Sequence, residues 1–178
     1  FKTVNDVLGH GAGDELLVRT GQRIAHAIGT EGLLARFGGD EFLVLCDGAE
    51  PDQAPRLADA ILQALSRPFL FGDDEFTLGA SIGIAYAPAD GSRPQQLIQN
   101  ADIAMYDCKR RSRNDWQVFT PDLARKQQDR LQIETQLRRA LDNAEFRLVY
   151  QPQVDLRSGR ILYAEALVRW HNPQLGEM

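Results

Sequence analysis

Residues 36–42, Arg36-Phe37-Gly38-Gly39-Asp40-Glu41-Phe42, set two glycines directly before two carboxylates. Glycine lets the backbone take positive φ and leaves no Cβ between the chain and a ligand. Adjacent acids at the start of an outgoing strand offer oxygen ligands to a hard cation. A bare turn beside paired acids is what a metal-bound triphosphate requires, with backbone close to phosphate oxygens and carboxylates on Mg2+. An ordinary solvated hairpin tip is the competing reading. Other residues carry similar alternatives. Asn5 and Asp14 either present an amide and a carboxylate to a base edge or serve as turn and helix N-cap residues. The run Lys109-Arg110-Arg111-Ser112-Arg113 ends a helix, so its cations either complement the helix dipole or grip phosphate. Glu165 is an acid in an otherwise apolar strand, where it needs an ion partner or a metal.

These groups need elements to hold them. Leu33-Leu34-Ala35 and Phe42–Cys46 read as two strands of a hairpin turning at the glycines. Residues 1–14 hold Gly9, Gly11 and Gly13 and read as a loop, followed by a helix from Asp14 with Leu17, Gly21, Ile24 and Ile28 on one face. Pro51 opens a second helix, with Leu57, Ile61, Leu62 and Leu65 as its stripe. Residues 68–71 and 75–87 read as a second hairpin around Gly72-Asp73-Asp74. In its longer arm Phe76, Leu78, Ala80, Ile82, Ile84 and Tyr86 alternate with Thr77, Gly79, Ser81, Gly83 and Ala85, so that one face is bulky and the other carries only small side chains. A ligand or a packed helix must therefore approach the small face closely. Ser92 is expected to cap a third helix with Pro94 just inside it, and Leu97, Ile98, Ala101, Ala104, Met105 and Cys108 recur at helical spacing. Residues 116–119 form a closing strand. A polar connector helix runs from Thr120-Pro121 to about Asn143, with Ile133, Leu137, Ala140, Leu141 and Ala144 as a narrow stripe and Glu134–Arg138 as an i,i+4 pair. Residues 146–155 and 160–170 are two strands around a turn at Leu156–Gly159.

The 178 residues suffice for one domain plus a piece of another. A hydrophobic content of 43% and a charged content of 25% are those of a globular protein. The net charge of −5 argues against nucleic acid as a partner. It leaves room for a single nucleotide, whose bound cation offsets local acidity. Cys46 and Cys108 stand apart from any CxxC or Cys/His cluster, so neither a zinc site nor a disulfide framework is expected, and reduced thiols in the cytoplasm are the default. No apolar run approaches the roughly 18 residues of a membrane span. The chain starts at Phe1 rather than Met and ends at Met178, and it reads as a piece of a longer protein whose upstream region could reach a membrane.

Five motifs together resemble the GGDEF family of diguanylate cyclases over residues 1–119. They are Phe1-Lys2-x-x-Asn5-Asp6, Leu8-Gly-His10-x-x-Gly13-Asp14, Arg36–Phe42, Ser81-Ile-Gly-Ile-Ala85, and Ala101-Asp102-x-Ala104-x-Tyr106-x-x-Lys109 with Arg113-Asn114. Residues 143–178 are similar to the opening of the EAL family of cyclic di-GMP phosphodiesterases, through Phe146, Tyr150-Gln151-Pro152, Glu165-Ala166-Leu167, Arg169-Trp170 and Pro173. Residues 120–142 would then be a connector helix. The resemblance implies an α/β (α+β) fold: a mainly antiparallel sheet flanked by helices, like the palm of nucleotide cyclases and polymerases, followed by the first β-hairpin of an incomplete EAL barrel. It implies condensation of two GTP, one on each domain of a homodimer, to cyclic di-GMP and pyrophosphate with Mg2+ or Mn2+. The alternative activity is a GTP-binding regulatory domain that controls an EAL phosphodiesterase. By the same resemblance Asp40 and Glu41 are catalytic and metal-binding. Gly38 and Gly39 admit the triphosphate, Asn5 and Asp14 contact guanine, and Lys109 and Arg113 hold the β- and γ-phosphates. In the second segment Glu165 is a metal ligand, with Gln151, Leu167 and Arg169 lining the substrate site.

The departures from the family pattern carry expectations of their own. The family's first strand ends in Asp-x-Asp just before the Phe-Lys, and this chain begins after it. A sheet short of a central strand and of one metal ligand predicts weak or no activity for the isolated piece, and exposed strand edges. An Arg-x-x-Asp product-inhibition site, frequent in the family, is replaced by Gly29-Thr-Glu-Gly32, which predicts no feedback through that site. Ser112 stands where the family has Gly before the phosphate Arg.

Overall fold

A computed structural model describes residues 2–47, 50, 52–72, 74–112 and 114–177, without the side chains of Lys2 and Thr3. Phe1, Pro51, Asp73 and Arg113, which carry expectations above, lie outside the described residues. The chain divides into two units, Phe1–Ala124 and Arg125–Met178.

The first unit opens with helix α1 (Lys2–Leu8) and helix α2 (His10–Ile28). This corrects the expected loop: only Gly9, at φ 83°, separates the two helices. Gly13 lies inside α2 because a Cβ there would fall 1.8 Å from Asn5 Oδ1. That glycine therefore serves close helix packing and not a turn. The N-cap of α2 is Gly9, so Asp14 is not a capping residue.

Strands β1 (Leu33–Gly38) and β2 (Glu41–Leu45) form the expected antiparallel hairpin, and α3 (Gln53–Ser66) follows. Arg23 of α2 closes the C-terminal end of α3 by donating to the Ala64 carbonyl at 3.3 Å, with further bonds to the carbonyls of Arg67 and Pro68. Its guanidinium lies 3.5 Å from the centroid of the Phe69 ring. Burial first, and then the neighbouring Arg67 and Arg19, lower the Arg23 pKa.

The second hairpin is shorter than expected. Strand β3 (Phe69–Phe71) pairs with β4 (Asp74–Phe76), and the long arm stops there. The following strand, β5 (Ser81–Ile84), pairs in parallel with β6 (Asp115–Val118), Ser81 opposite Asp115 and Ile84 opposite Val118. A parallel pair needs a long crossover, and α4 (Pro94–Arg111) supplies it. The small face of the arm meets this helix and not a ligand, since a Cβ on Gly83 would lie 2.6 Å from the Met105 backbone nitrogen. Ser92 does not cap α4: the N-cap is Arg93, with no side-chain cap bond and Pro94 in the first turn.

Val4, Leu16, Ile24, Ile28, Leu57, Ile61, Leu65 and Phe69 form the main core, with Phe42 of the hairpin and Ile82 of β5 packed against it. Each such side chain, fully buried, contributes roughly 1.5–3 kcal/mol. A second cluster joins Ala104, Phe119 and Leu123.

Helix α5 (Pro121–Ala140) leads into the second unit, whose strands are β7 (Phe146–Val154), β8 (Ile161–Asn172) and β9 (Gly176–Glu177). On α5 Glu134 forms an i,i+4 ion pair with Arg130 at 2.6 Å. The three strands form one antiparallel sheet that does not close into a barrel. Antiparallel pairing dominates throughout, in small sheets flanked by helices. Among the described residues no helix is long and apolar enough to cross a membrane.

Candidate active site at the β1–β2 turn

The β1–β2 ladder runs from Leu33 opposite Leu45 to Arg36 opposite Phe42, then shifts so that Gly38 faces Glu41. The shift leaves Phe37 unpaired and 61% exposed. Gly39 takes φ 49°, in the left-handed region that glycine adopts at little cost. Arg36 closes the turn: its Nε and Nη2 donate to the Gly39 carbonyl at 3.0 and 2.8 Å. Sequence reasoning gave Arg36 no role, although an arginine three residues before a turn glycine is within reach of its carbonyl. A Cβ on Gly38 or Gly39 would meet nothing within 4 Å. Asp40 and Glu41, beside this open backbone, are both exposed. The hairpin is held from behind by α2, where a Cβ on Gly21 would lie 3.4 Å from the Phe42 ring.

The α1–α2 contact seats Asn5 against Gly13, the residue before Asp14. Asn5 is half-buried, and among the described residues its Oδ1 is a buried acceptor without a hydrogen-bond partner. An acceptor left so costs roughly 1–3 kcal/mol and calls for an explanation. Asp14, next to the seat of Asn5 at Gly13, is exposed.

Lys109 stands exposed in the last turn of α4. No hydrogen bond or ion pair joins it to Asp40 or Glu41 among the described residues. The residues on either side of Arg113 are fixed. Ser112 Oγ donates to Asp115 Oδ2 and the Trp116 amide to Asp115 Oδ1, each at 2.8 Å. Asn114 takes φ 67° and accepts from the Ala80 amide at 3.4 Å. The Ser112 hydroxyl, then the Trp116 amide, hold the Asp115 carboxyl below the usual range. Trp116 Nε1 donates to Asp59 Oδ1 at 2.7 Å and ties β6 to α3.

Among the described residues no three His, Cys, Asp or Glu side chains converge on a metal position. Asp40 and Glu41 supply two carboxylates. Magnesium is ordinarily held by one or two carboxylates together with substrate phosphates. The donor set therefore fits a cation shared with a nucleotide and not one caged by protein alone.

In the second unit Gln151 faces Glu165, Val149 faces Leu167, and Arg147 faces Arg169. Directly opposed residues share a face, and successive residues alternate. Gln151, Glu165, Leu167 and Arg169 thus lie on one face of the β7–β8 pair. Phe146, Leu148, Tyr150, Ala164, Ala166, Val168 and Trp170 lie on the other.

The model of the diguanylate cyclase GGDEF domain matches residues 1–115, and that of the EAL domain matches residues 134–178. The chain belongs to the GGDEF family and continues into an EAL segment, the composition of cyclic di-GMP signalling proteins. It is 40% identical over 176 residues to the bifunctional diguanylate cyclase/cyclic di-GMP phosphodiesterase MucR of Pseudomonas aeruginosa, covering 99% of this chain and 26% of that protein. The cyclic di-GMP phosphodiesterase PdeR of Escherichia coli shows the same 40% identity, with 99% of this chain and 26% of that one covered. The chain spans about a quarter of the length of these relatives. An EAL/GGDEF domain protein from M. capsulatus superposes with a TM-score of 0.64 at 45% identity, covering 67% of this chain and 78% of that one.

Proposed function

We propose that residues 1–119 are a diguanylate cyclase domain that condenses two GTP, one on each domain of a homodimer, into cyclic di-GMP. The observation that carries this reading is the open turn. Gly38 and Gly39 have free space where Cβ atoms would be, and Asp40 and Glu41 stand exposed beside them. A triphosphate laid on this backbone meets no Cβ at Gly38 or Gly39. In this reading Asp40 accepts the proton of the 3′-hydroxyl of the opposed GTP. As the 3′-oxygen bonds to the α-phosphorus, the bond to the bridging oxygen breaks and pyrophosphate leaves. Mg2+ or Mn2+, when bound at Asp40 and Glu41, neutralises the charge that gathers on the phosphate oxygens. The unmet acceptor of Asn5 gives that side chain a reason to turn from Gly13 toward the N–H groups of guanine, with Asp14 beside it. Lys109 and Arg113 hold the outer phosphates. The EAL segment supplies Glu165, Gln151, Leu167 and Arg169 to a cyclic di-GMP phosphodiesterase site.

The test is incubation of the full-length protein with GTP and Mg2+. Cyclic di-GMP is the expected product, and Asp40→Ala abolishes it. No product, with the Asp40→Ala protein behaving identically, rejects the cyclase. A second reading is a GTP-binding domain that regulates the phosphodiesterase without turnover. It is favoured by the naming of PdeR, and of the 36% identical NbdA of Pseudomonas aeruginosa, as phosphodiesterases. GTP that alters hydrolysis without being consumed selects it.

A further inference from the structure

Glu145 lies between the end of α5 and the start of β7, outside every residue assigned a role above. It bonds to both sides. Its backbone amide donates to the Ala140 carbonyl at 3.0 Å, and its carbonyl accepts from the His171 amide at 2.9 Å. Its carboxylate collects three side-chain donors: Trp170 Nε1 at 2.8 Å and Asn172 Nδ2 at 3.0 Å on Oε2, and Asn143 Nδ2 at 2.9 Å on Oε1. Ala140, Trp170 and Asn172 are 0%, 5% and 2% exposed. Asn172 spends its other atom as well, its Oδ1 accepting from the amides of Gln174 and Leu175 at 3.0 Å. The rest of the apolar face of β7–β8 is open, with Leu148, Tyr150 and Val168 between 54% and 64% exposed. The Glu145 cluster thus joins α5 to β8, the strand that carries Glu165, Leu167 and Arg169 on its opposite face.

We propose that Glu145 is a positioning residue: by fastening Trp170 and Asn172 to the end of α5, it sets the placement of Glu165, Leu167 and Arg169. This rests on the reading of those three as part of a cyclic di-GMP site. A carboxylate that receives three donors is a stiff joint, because hydrogen bonds to a charged group are stronger than those between neutral groups. Small displacements of a substrate-positioning group are costly in binding and in rate.

The experiment uses the full-length protein, with cyclic di-GMP hydrolysis assayed alongside solvent exchange of the indole N–H groups of Trp170 and Trp116. Trp116, whose indole donates to Asp59 in the first unit, is the internal control. In Glu145→Ala, exchange at Trp170 rises at least tenfold and KM for cyclic di-GMP rises about tenfold, while kcat changes less than threefold and Trp116 is unaffected. Glu145→Gln keeps one carbonyl acceptor and recovers most of both effects. Should the alanine protein fail to fold, Trp170→Phe, which removes one of the three donors to Glu145, is expected to raise KM about threefold with kcat unchanged, and an unchanged KM there overturns the proposal. Faster Trp170 exchange with an unchanged KM confines Glu145 to folding and overturns the proposal. So does unchanged exchange at Trp170. An unsubstituted protein that neither binds nor hydrolyses cyclic di-GMP removes the substrate reading itself, and the proposal with it.

Discussion

A Cβ added to Gly83 would lie 1.8 Å from the carbonyl oxygen of Ala101, on a helix that packs directly on the strand. The obstructing atom is backbone and cannot swing away. Gly83→Ala is therefore expected to destabilise the first unit by about 2 kcal/mol or more, as overpacking does when no side chain can yield. Denaturant unfolding measures it. A midpoint unchanged from that of the parent would show that α4 does not sit this close.

That contact also shows what the residues disclosed and what they withheld. The alternation of large and small residues from Phe76 to Tyr86 announced a close neighbour on one face. It did not announce that β5 abandons β4 for a parallel partner, because the pairing depends on Asp115–Val118, far along the chain. The β1–β2 hairpin and the stripes of α3 and α4 were legible from local periodicity. Helix α1 was not, because Gly9, Gly11 and Gly13 signal a loop when read alone. Gly13 is there to seat Asn5, a requirement set by packing between two helices. The turn at Gly38-Gly39 was legible as a place for phosphate, but Arg36, which closes it, was not singled out.

Asn5 offers a way to separate function from stability. Its Oδ1 makes no hydrogen bond among the described residues. Asn5→Ala should shift unfolding by less than about 1 kcal/mol, since no bond is lost. GTP binding, followed by calorimetry, should weaken about tenfold or more, with the preference over ATP reduced. A large loss of stability with unchanged nucleotide preference would make Asn5 a packing residue.

Asp40→Asn should leave stability within about 0.5 kcal/mol, because the side chain is exposed. Synthesis of cyclic di-GMP should fall about a hundredfold or more, since the amide neither accepts a proton nor carries charge. Product assay and thermal unfolding on the same preparation check both parts. Equal turnover in the two proteins would place the chemistry elsewhere.

The Ser112–Asp115 closure should depend on pH in one direction. The folded carboxyl sits below its ordinary range, held there by Ser112 first and the Trp116 amide second. Such a group favours the folded loop above the ordinary carboxyl pKa, and the benefit fades as pH falls through the depressed value, beneath about pH 4. An NMR titration of the Asp115 carboxyl should show the depression, and Ser112→Ala should move it back up. A midpoint indifferent to Ser112→Ala would remove the hydroxyl as its cause.

Feedback by product through residues 29–32 is not expected. The one carboxylate in that stretch, Glu31, accepts from Arg56 at 2.7 Å and from Gln53 at 3.1 Å and so belongs to the α3 surface. Sub-micromolar binding of cyclic di-GMP that survived substitution of every proposed active-site residue would contradict this.

The pairing of β7 with β8 has a further consequence, for mutation by insertion or deletion. Side chains alternate across a strand, so moving β8 by one residue against β7 exchanges its two faces. Glu165, Leu167 and Arg169 would change places with Ala164, Ala166 and Val168 in a single step, with no residue altered. The stretch from Asp155 to Arg160, where the amide of Asp155 bonds to the carbonyl of Arg160 at 2.8 Å, sets the count. Lengthening or shortening it by one would disrupt this face of the second unit more thoroughly than substituting any one of those three side chains.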